Sequence, residues 1–393
     1  MEEKRMFQQS NDALKKMGAV ITTREIQQQP ELWEETIQLF ENQQEKMNNF
    51  FNSLKEIAST PIRIIFTGAG TSQYIGDTLI PYLNRVGDTK NYTFESIGTT
   101  DIVSAPLDYL KPDSPTLLVS FARSGNSPES LAAVQLADQL VHTVYHLTIT
   151  CASDGLLAKN STDNSNHLLL LMPEKSNDAG FAMTGSFTCM LLTALLIFDL
   201  SSIETKRSYV KTASLLGKEL LSREEEIHAF TDTDFDRIVY LGSGSLAGLT
   251  REAQLKVLEL TAGKVATVFD SSMGFRHGPK SFINEKTLVF GFLNNDPYTR
   301  QYDLDILEEV QENQIAKNTV AIGQLGKQHF SGNKFIFQTN EEPLPEAYLA
   351  LPEIMVAQTI ALFTSIKVGN TPDTPSATGT VNRVVKGVTI HPY

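Results

Sequence analysis

Short apolar runs alternate with helical stripes along most of the chain. Ile62–Phe66, Tyr92–Ser96, Leu117–Phe121, Tyr145–Thr150 and Leu168–Leu171 read as strands. Between them, apolar residues recur at helical spacing at about 73–85, 128–141 and 184–200. That alternation of strand and helix implies a doubly wound, mostly parallel sheet with right-handed crossovers. The pattern restarts with Arg237–Leu241, followed by a helix at about 248–262 and strands at Val265–Asp270, Thr287–Leu293, Thr319–Ile322 and Phe335–Gln338. A helix at about 303–314 and a last one at about 346–367 complete that half. The two halves share one order, so the chain reads as a tandem duplication. The expected fold is α/β, two tandem doubly wound, mostly parallel sheets in flavodoxin-like three-layer sandwiches.

Residues 1–57 are polar and helical. Thr22 and Glu25 fit a capping box before Ile26. Pro30 opens what reads as one long helix with Ile37, Phe40, Met47, Phe51 and Leu54 on a single face. A charged helix at about Tyr209–His228 fits a solvated linker. The expected divisions are an N-terminal helical arm at 1–44, a first domain at 45–205, a second at 215–368 and a tail at 369–393. The arm is expected to lie on the main body or on a second subunit.

Composition narrows the partners. The chain has 393 residues and a net charge of −13, which argues against a general nucleic-acid or anionic-membrane surface. Its two cysteines, Cys151 and Cys189, offer neither a disulfide framework nor metal spacing and read as buried apolar residues. The N-terminus lacks an apolar signal core, and the apolar run Cys189–Phe198 is too short to span a bilayer. A cytoplasmic protein is expected. An anionic substrate must then be held by local donors.

Two strand–loop–helix junctions supply them. After Ile62–Phe66 comes Thr67-Gly68-Ala69-Gly70-Thr71-Ser72; after the third strand comes Ser120-Phe121-Ala122-Arg123-Ser124-Gly125-Asn126-Ser127, then Pro128. Free N–H groups at helix starts attract anions, and parallel strands bring such loops to one carboxyl edge. Thr71, Ser72, Ser124 and Ser127 can converge on one phosphate, although Ser127 before Pro128 is also an ordinary N-cap. In the second half Asn294-Asn295-Asp296-Pro297 stands where the serine loop would be, so phosphate is expected only in the first copy. On the second-copy helix, Glu252, Lys256 and Glu259 share one face. That spacing fits an exposed ion-pair stripe; the apolar neighbours and the preceding Gly-rich loop fit a cleft-facing set. His277, followed by Gly278 and Pro279, lies on a loop and can exchange protons near neutral pH.

Gly-Ala-Gly-Thr-Ser and Ser-x-x-x-Ser-Gly-Asn-Ser resemble the two phosphate loops of the sugar isomerase (SIS) domain family. Glu252-Ala-Gln-Leu-Lys256-Val-Leu-Glu259, Arg276-His277-Gly278-Pro279 and Lys386-Gly-Val-Thr are similar to motifs in the isomerase half of glucosamine-6-phosphate synthase. The Thr-x-Arg-Glu-Ile, Pro-Glu-Leu-Trp and Ala-Met-Thr-x-Ser-Phe stretches resemble a narrower group, the tagatose-6-phosphate ketose/aldose isomerases or galactosamine-6-phosphate deaminases. The resemblance implies that Thr71, Ser72, Arg123, Ser124 and Ser127 hold phosphate, with Gly70, Ser120, Asn126 and Thr184 as further substrate contacts. It implies that Glu259 moves a proton between C1 and C2, helped by Glu252 and Lys256, that His277 opens the sugar ring, and that Lys386 contacts the open-chain carbonyl. Neither metal nor cofactor is implied. A homodimer or dimer of dimers with shared active sites is. Met183 and Gly185 replace Ser and Lys beside the sugar, and Asn126 replaces an acid, so the sugar epimer is left open. The expected reaction takes galactosamine 6-phosphate to tagatose 6-phosphate and ammonia. Alternatives are a plain ketose/aldose isomerase, a fructosamine-phosphate deglycase and a non-catalytic phosphosugar regulator.

Overall fold

The computed structural model describes residues 5–57, 61–161, 164–324, 329–338, 341–379, 382–383 and 387–393. They form two compact units, each built on a five-stranded sheet. One unit gathers Leu32–Asp178, Gly185–Lys206 and the tail from Val381; the other gathers the chain up to Glu31, Ala179–Thr184 and Arg207–Thr380.

The first sheet contains β1 (Ile62–Thr67), β2 (Tyr92–Ser96), β3 (Thr116–Ala122), β4 (Val144–Thr150) and β5 (His167–Leu171), in the order β2-β1-β3-β4-β5. The second contains β6 (Arg237–Gly242), β7 (Ala266–Ser271), β8 (Thr287–Phe292), β9 (Asn318–Gln324) and β10 (Asn333–Phe337), in the order β10-β9-β8-β6-β7. All pairings are parallel, and the two orders are one topology read from opposite edges. The expected duplication of a doubly wound sheet is therefore present. Strand bounds lie within two residues of those read from the sequence, because continuous apolar runs have sharp ends.

Burial explains the runs. Every residue of β1 and β3 is buried, as in a sheet covered on both faces. In the first unit Phe66, Phe94, Phe121 and Phe198 pack as one aromatic cluster. In the second, Tyr240 stacks between Phe290 and Phe292. Each such side chain contributes roughly 1.5–3 kcal/mol by leaving water. Arg63 is the one charge inside β1; Glu95 meets it in a two-pronged pair at 2.7 Å, and the Tyr109 carbonyl accepts another bond. Helix Glu346–Lys367 is long and apolar enough to cross a bilayer, yet 94% of its apolar window is buried. It is the core helix of its unit.

Several helical expectations change. The stretch expected as one helix from Pro30 is two, Gln29–Asn42 and Gln44–Ile57. The charged linker is also two, Ile203–Ser222 and Glu224–Thr231, broken at Arg223, whose guanidinium turns onto Glu219 and Glu226. Thr22 and Glu25 are not a capping box. They lie inside helix Val20–Gln27, whose N-cap is Ala19. Thr22 instead donates to Asp373, and Glu25 accepts from the N–H groups of Ala179 and Gly180. These long-range partners within one unit outcompete the local motif.

Candidate active-site elements

The phosphate-loop candidates lie at the carboxyl edge of the first sheet. Thr67 of β1 is the register partner of Ser120 of β3, so the loops leaving these strands start side by side. Thr71 and Ser72 open helix Thr71–Val86, and Gly70 is its N-cap with φ +56°. A side chain there would be strained by the backbone alone, because nothing lies within 4 Å of its added Cβ. Ser120, Thr71, Ser72 and Arg123 are buried, Ser124 and Ser127 partly so.

Ser127 is indeed the N-cap of helix Pro128–Leu140, but its side chain makes no capping bond. The hydroxyl is not consumed by the helix. Thr67 and Thr99, both beside these loops, carry buried hydroxyls with no hydrogen-bond partner among the described residues. Buried orphan hydroxyls are uncommon away from ligand or water sites. Asn126 is exposed and accepts from the Leu156 N–H at 2.9 Å, which ties the loop to its neighbour.

Arg123 does something the sequence did not disclose. One of its N–H groups donates at 2.7 Å to the Arg383 carbonyl, and Arg383 in turn donates to the Asp178 carbonyl. The Asp178 carboxylate, fully buried, accepts from the N–H groups of Gly185 and Ser186 and caps helix Gly185–Phe198. The tail is thus laced to the phosphate-loop unit through Arg383. Asp178 stands seven residues ahead of the helix it caps, too far for a local capping signal. Arg383 gave no signal at all. Lys386 lies outside the described residues. Thr184 is buried and belongs to the short segment Ala179–Thr184 of the other unit.

The second unit holds the acid–base candidates. Helix Ser245–Thr261 follows Gly244, whose dihedrals of +59° and −131° match those of Gly70, +56° and −125°. On this helix the Lys256 ammonium lies 3.1 Å from Glu252 and 2.7 Å from Glu259. Glu252 is 0% exposed, Lys256 1% and Glu259 21%, so the set is not a solvated stripe. Burial works against the ammonium, but the two carboxylates outweigh it and hold its pKa above the ordinary lysine value. Only Glu259 reaches solvent, which makes it the member able to exchange a proton with a bound molecule. His277 is exposed on the loop after β7, at the carboxyl end of that strand. Arg276 and Lys280 on either side both pair with Glu309, which fixes the loop. Cys151 and Cys189 are free and buried, as expected, and burial pushes the Cys151 thiol up to about 12.

The SIS domain family model matches residues 56–198. The D-galactosamine-6-phosphate deaminase AgaS of Escherichia coli is 45% identical over 375 residues, covering 95% of this chain and 96% of its own. A crystal structure of tagatose-6-phosphate ketose/aldose isomerase from Escherichia coli superposes with a TM-score of 0.85 at 42% identity, covering 95% of this chain and 96% of that one. More distantly, the glutamine–fructose-6-phosphate aminotransferase of Pyrobaculum aerophilum is 22% identical over 331 residues, covering 79% of this chain and half of that protein.

Proposed function

The chain belongs to the SIS-domain family, in the branch of the D-galactosamine-6-phosphate deaminases, and from that premise we propose that it converts galactosamine 6-phosphate to tagatose 6-phosphate and ammonia. The observation that carries the reading is 45% identity to such a deaminase along 95% of the chain.

The proposed roles follow the chemistry of each group. Thr71, Ser72, Ser124 and Ser127 hold the phosphate, which makes the following steps effectively intramolecular. Arg123 contributes charge there while anchoring the tail. His277 assists ring opening. The C2 proton, acidified by the adjacent C1 aldehyde, passes to Glu259 and returns to C1. The buried Glu252–Lys256 pair positions the Glu259 carboxylate by a direct ion pair. Proton transfer leaves a C2 ketimine; water adds to it, and the C–N bond breaks to give the ketone and ammonia. Lys386 is proposed to contact the open-chain carbonyl, and the assembly to be a homodimer or a dimer of dimers.

The name borne by the superposable isomerase structure favours a second reading, ketose/aldose isomerisation without ammonia release. Product analysis separates the two. Galactosamine 6-phosphate, glucosamine 6-phosphate and tagatose 6-phosphate are supplied in turn, and ammonia and sugar phosphates are quantified. Stoichiometric ammonia and tagatose 6-phosphate from the galacto substrate supports the proposal. Isomerisation of tagatose 6-phosphate with no ammonia from either amino sugar rejects it.

A further inference from the structure

We infer that Asp138, His146 and His167 form a binding site for one divalent transition-metal ion, with Zn²⁺ the best fit, away from the phosphate loops. His146 and His167 are register partners on the neighbouring strands β4 and β5, so their side chains leave one face of the sheet side by side. Their rings stand 4.4 Å apart. Asp138, on helix Pro128–Leu140, brings its carboxylate oxygen to 2.8 Å from His146 Nε2. One ligand atom from each of the three lies within 4.8 Å of the others.

A buried histidine bonded to an aspartate has an ordinary structural explanation, but two features exceed it. His146 is 2% exposed, yet among the described residues its Nδ1 has no hydrogen-bond partner. A second imidazole, that of His167, is also packed against it. The three residues line a cleft of about 210 Å³ whose wall carries the polar groups of Thr148, Asn160 and Ser161. That leaves room for water as a fourth ligand. Two imidazoles and one carboxylate suit zinc better than the oxygen-seeking Ca²⁺ or Mg²⁺. Ligand atoms about 2 Å from a tetrahedral ion sit roughly 3.3 Å apart. Asp138 and His167, the less buried members, can make that adjustment.

His146 is the third residue of β4 and His167 the first of β5, near the amino ends of their strands, whereas the phosphate loops leave the carboxyl ends of theirs. The ion would clip the helix, β4 and the edge strand β5 together rather than take part in the reaction. The test is isothermal titration of the metal-stripped full chain with ZnCl₂, alongside His167→Ala and Asp138→Asn. Asp138 is half-exposed on a helix surface, so its variant keeps the fold if the strand variant does not. The expected result is one Zn²⁺ per chain, at least tenfold weaker binding in each variant, and a zinc-dependent rise in Tm seen only in the parent. Deaminase turnover should be the same in parent and Asp138→Asn. A parent that takes up no zinc, or an Asp138→Asn variant that binds it as tightly as the parent, overturns the site.

Discussion

At the carboxyl edge of the first sheet, Ser124 and Ser127 are partly exposed, and the Ser127 hydroxyl makes no capping bond to the helix it begins. At the matching edge of the second sheet three donors are spent on an internal acid. Ser243, Ser272 and the Asn294 N–H converge on the carboxylate of Asp303, itself 1% exposed. Ser243 follows β6, Ser272 follows β7 and Asn294 follows β8, so three loops meet on one internal anion. Both copies keep the same left-handed glycine at the helix start, Gly70 and Gly244. The glycine at the helix start is therefore retained in both, but in the second copy the hydroxyls of the neighbouring loops turn onto an internal carboxylate. The helices that follow diverge as well. Counted from those glycines, Thr78, Tyr82 and Arg85 stand where the second copy has Glu252, Lys256 and Glu259. The proposed phosphate edge and the proposed acid–base helix thus lie on different copies of one fold.

The largest effect should come from breaking the second copy's buried charge set. Lys256→Met removes the ammonium between two carboxylates and leaves Glu252 buried without it. Breaking a buried pair this way costs on the order of 3–5 kcal/mol. Thermal unfolding should show a marked drop in Tm, and Tyr82→Phe at the matching place of the first copy should cost far less. Equal losses would mean that the charge set is no more than packing.

The next contrast concerns the serines. Ser124→Ala with Ser127→Ala should raise KM by on the order of 10²–10⁴-fold, since each charge-assisted bond contributes about 1.5–3 kcal/mol. Ser243→Ala, in the second copy, should leave KM unchanged and lower stability by about 1 kcal/mol, because its hydroxyl serves Asp303. A KM effect at Ser243 with none at the first-copy pair would reverse the assignment of the phosphate edge.

The smallest effect is on pH dependence. Glu353, in the core helix of the second unit, is fully buried; burial, then the Asp303 carboxyl, push its pKa well above the ordinary glutamate value. The folded state then keeps a proton that the unfolded chain releases. Its contribution is fully present below the unfolded pKa and lost as pH rises through the folded one. The first copy's core helix, Gly185–Phe198, has no acidic residue and no such slope. Glu353→Gln should therefore flatten the fall in urea midpoint on going from about pH 4.5 upward. An unchanged slope would locate the titration elsewhere.

What was legible in the sequence follows from how local each signal is. The central strands were readable because sheets covered on both faces leave unbroken apolar runs, and the remaining strands and the duplication because the strand–helix order repeats. The loop serines and the Glu252–Lys256–Glu259 face were readable because spacing fixes which side chains share a surface. Burial of that face was not readable, since an ion-pair stripe has the same spacing in water and in a core. Partners brought in from a distance were silent too: Asp373 on Thr22, Arg383 on Asp178, Asp303 beneath three loops. The His146–His167 pairing depends on the β4–β5 register, which the spacing of the two histidines along the chain does not give.

The central claim is that the first copy holds the phosphate while the second moves the proton, and Glu259→Gln tests it most directly. The variant keeps shape but cannot accept the proton, and loss of a general base costs about 10²–10⁴-fold in rate. Solvent-hydrogen exchange at C2 and ammonia release would be followed together, with the affinity of a non-reacting phosphosugar analogue measured alongside. The account predicts near-parental analogue binding with exchange and ammonia release lost in parallel. Exchange that persists while ammonia release stops, or analogue binding that collapses with the rate, would contradict it.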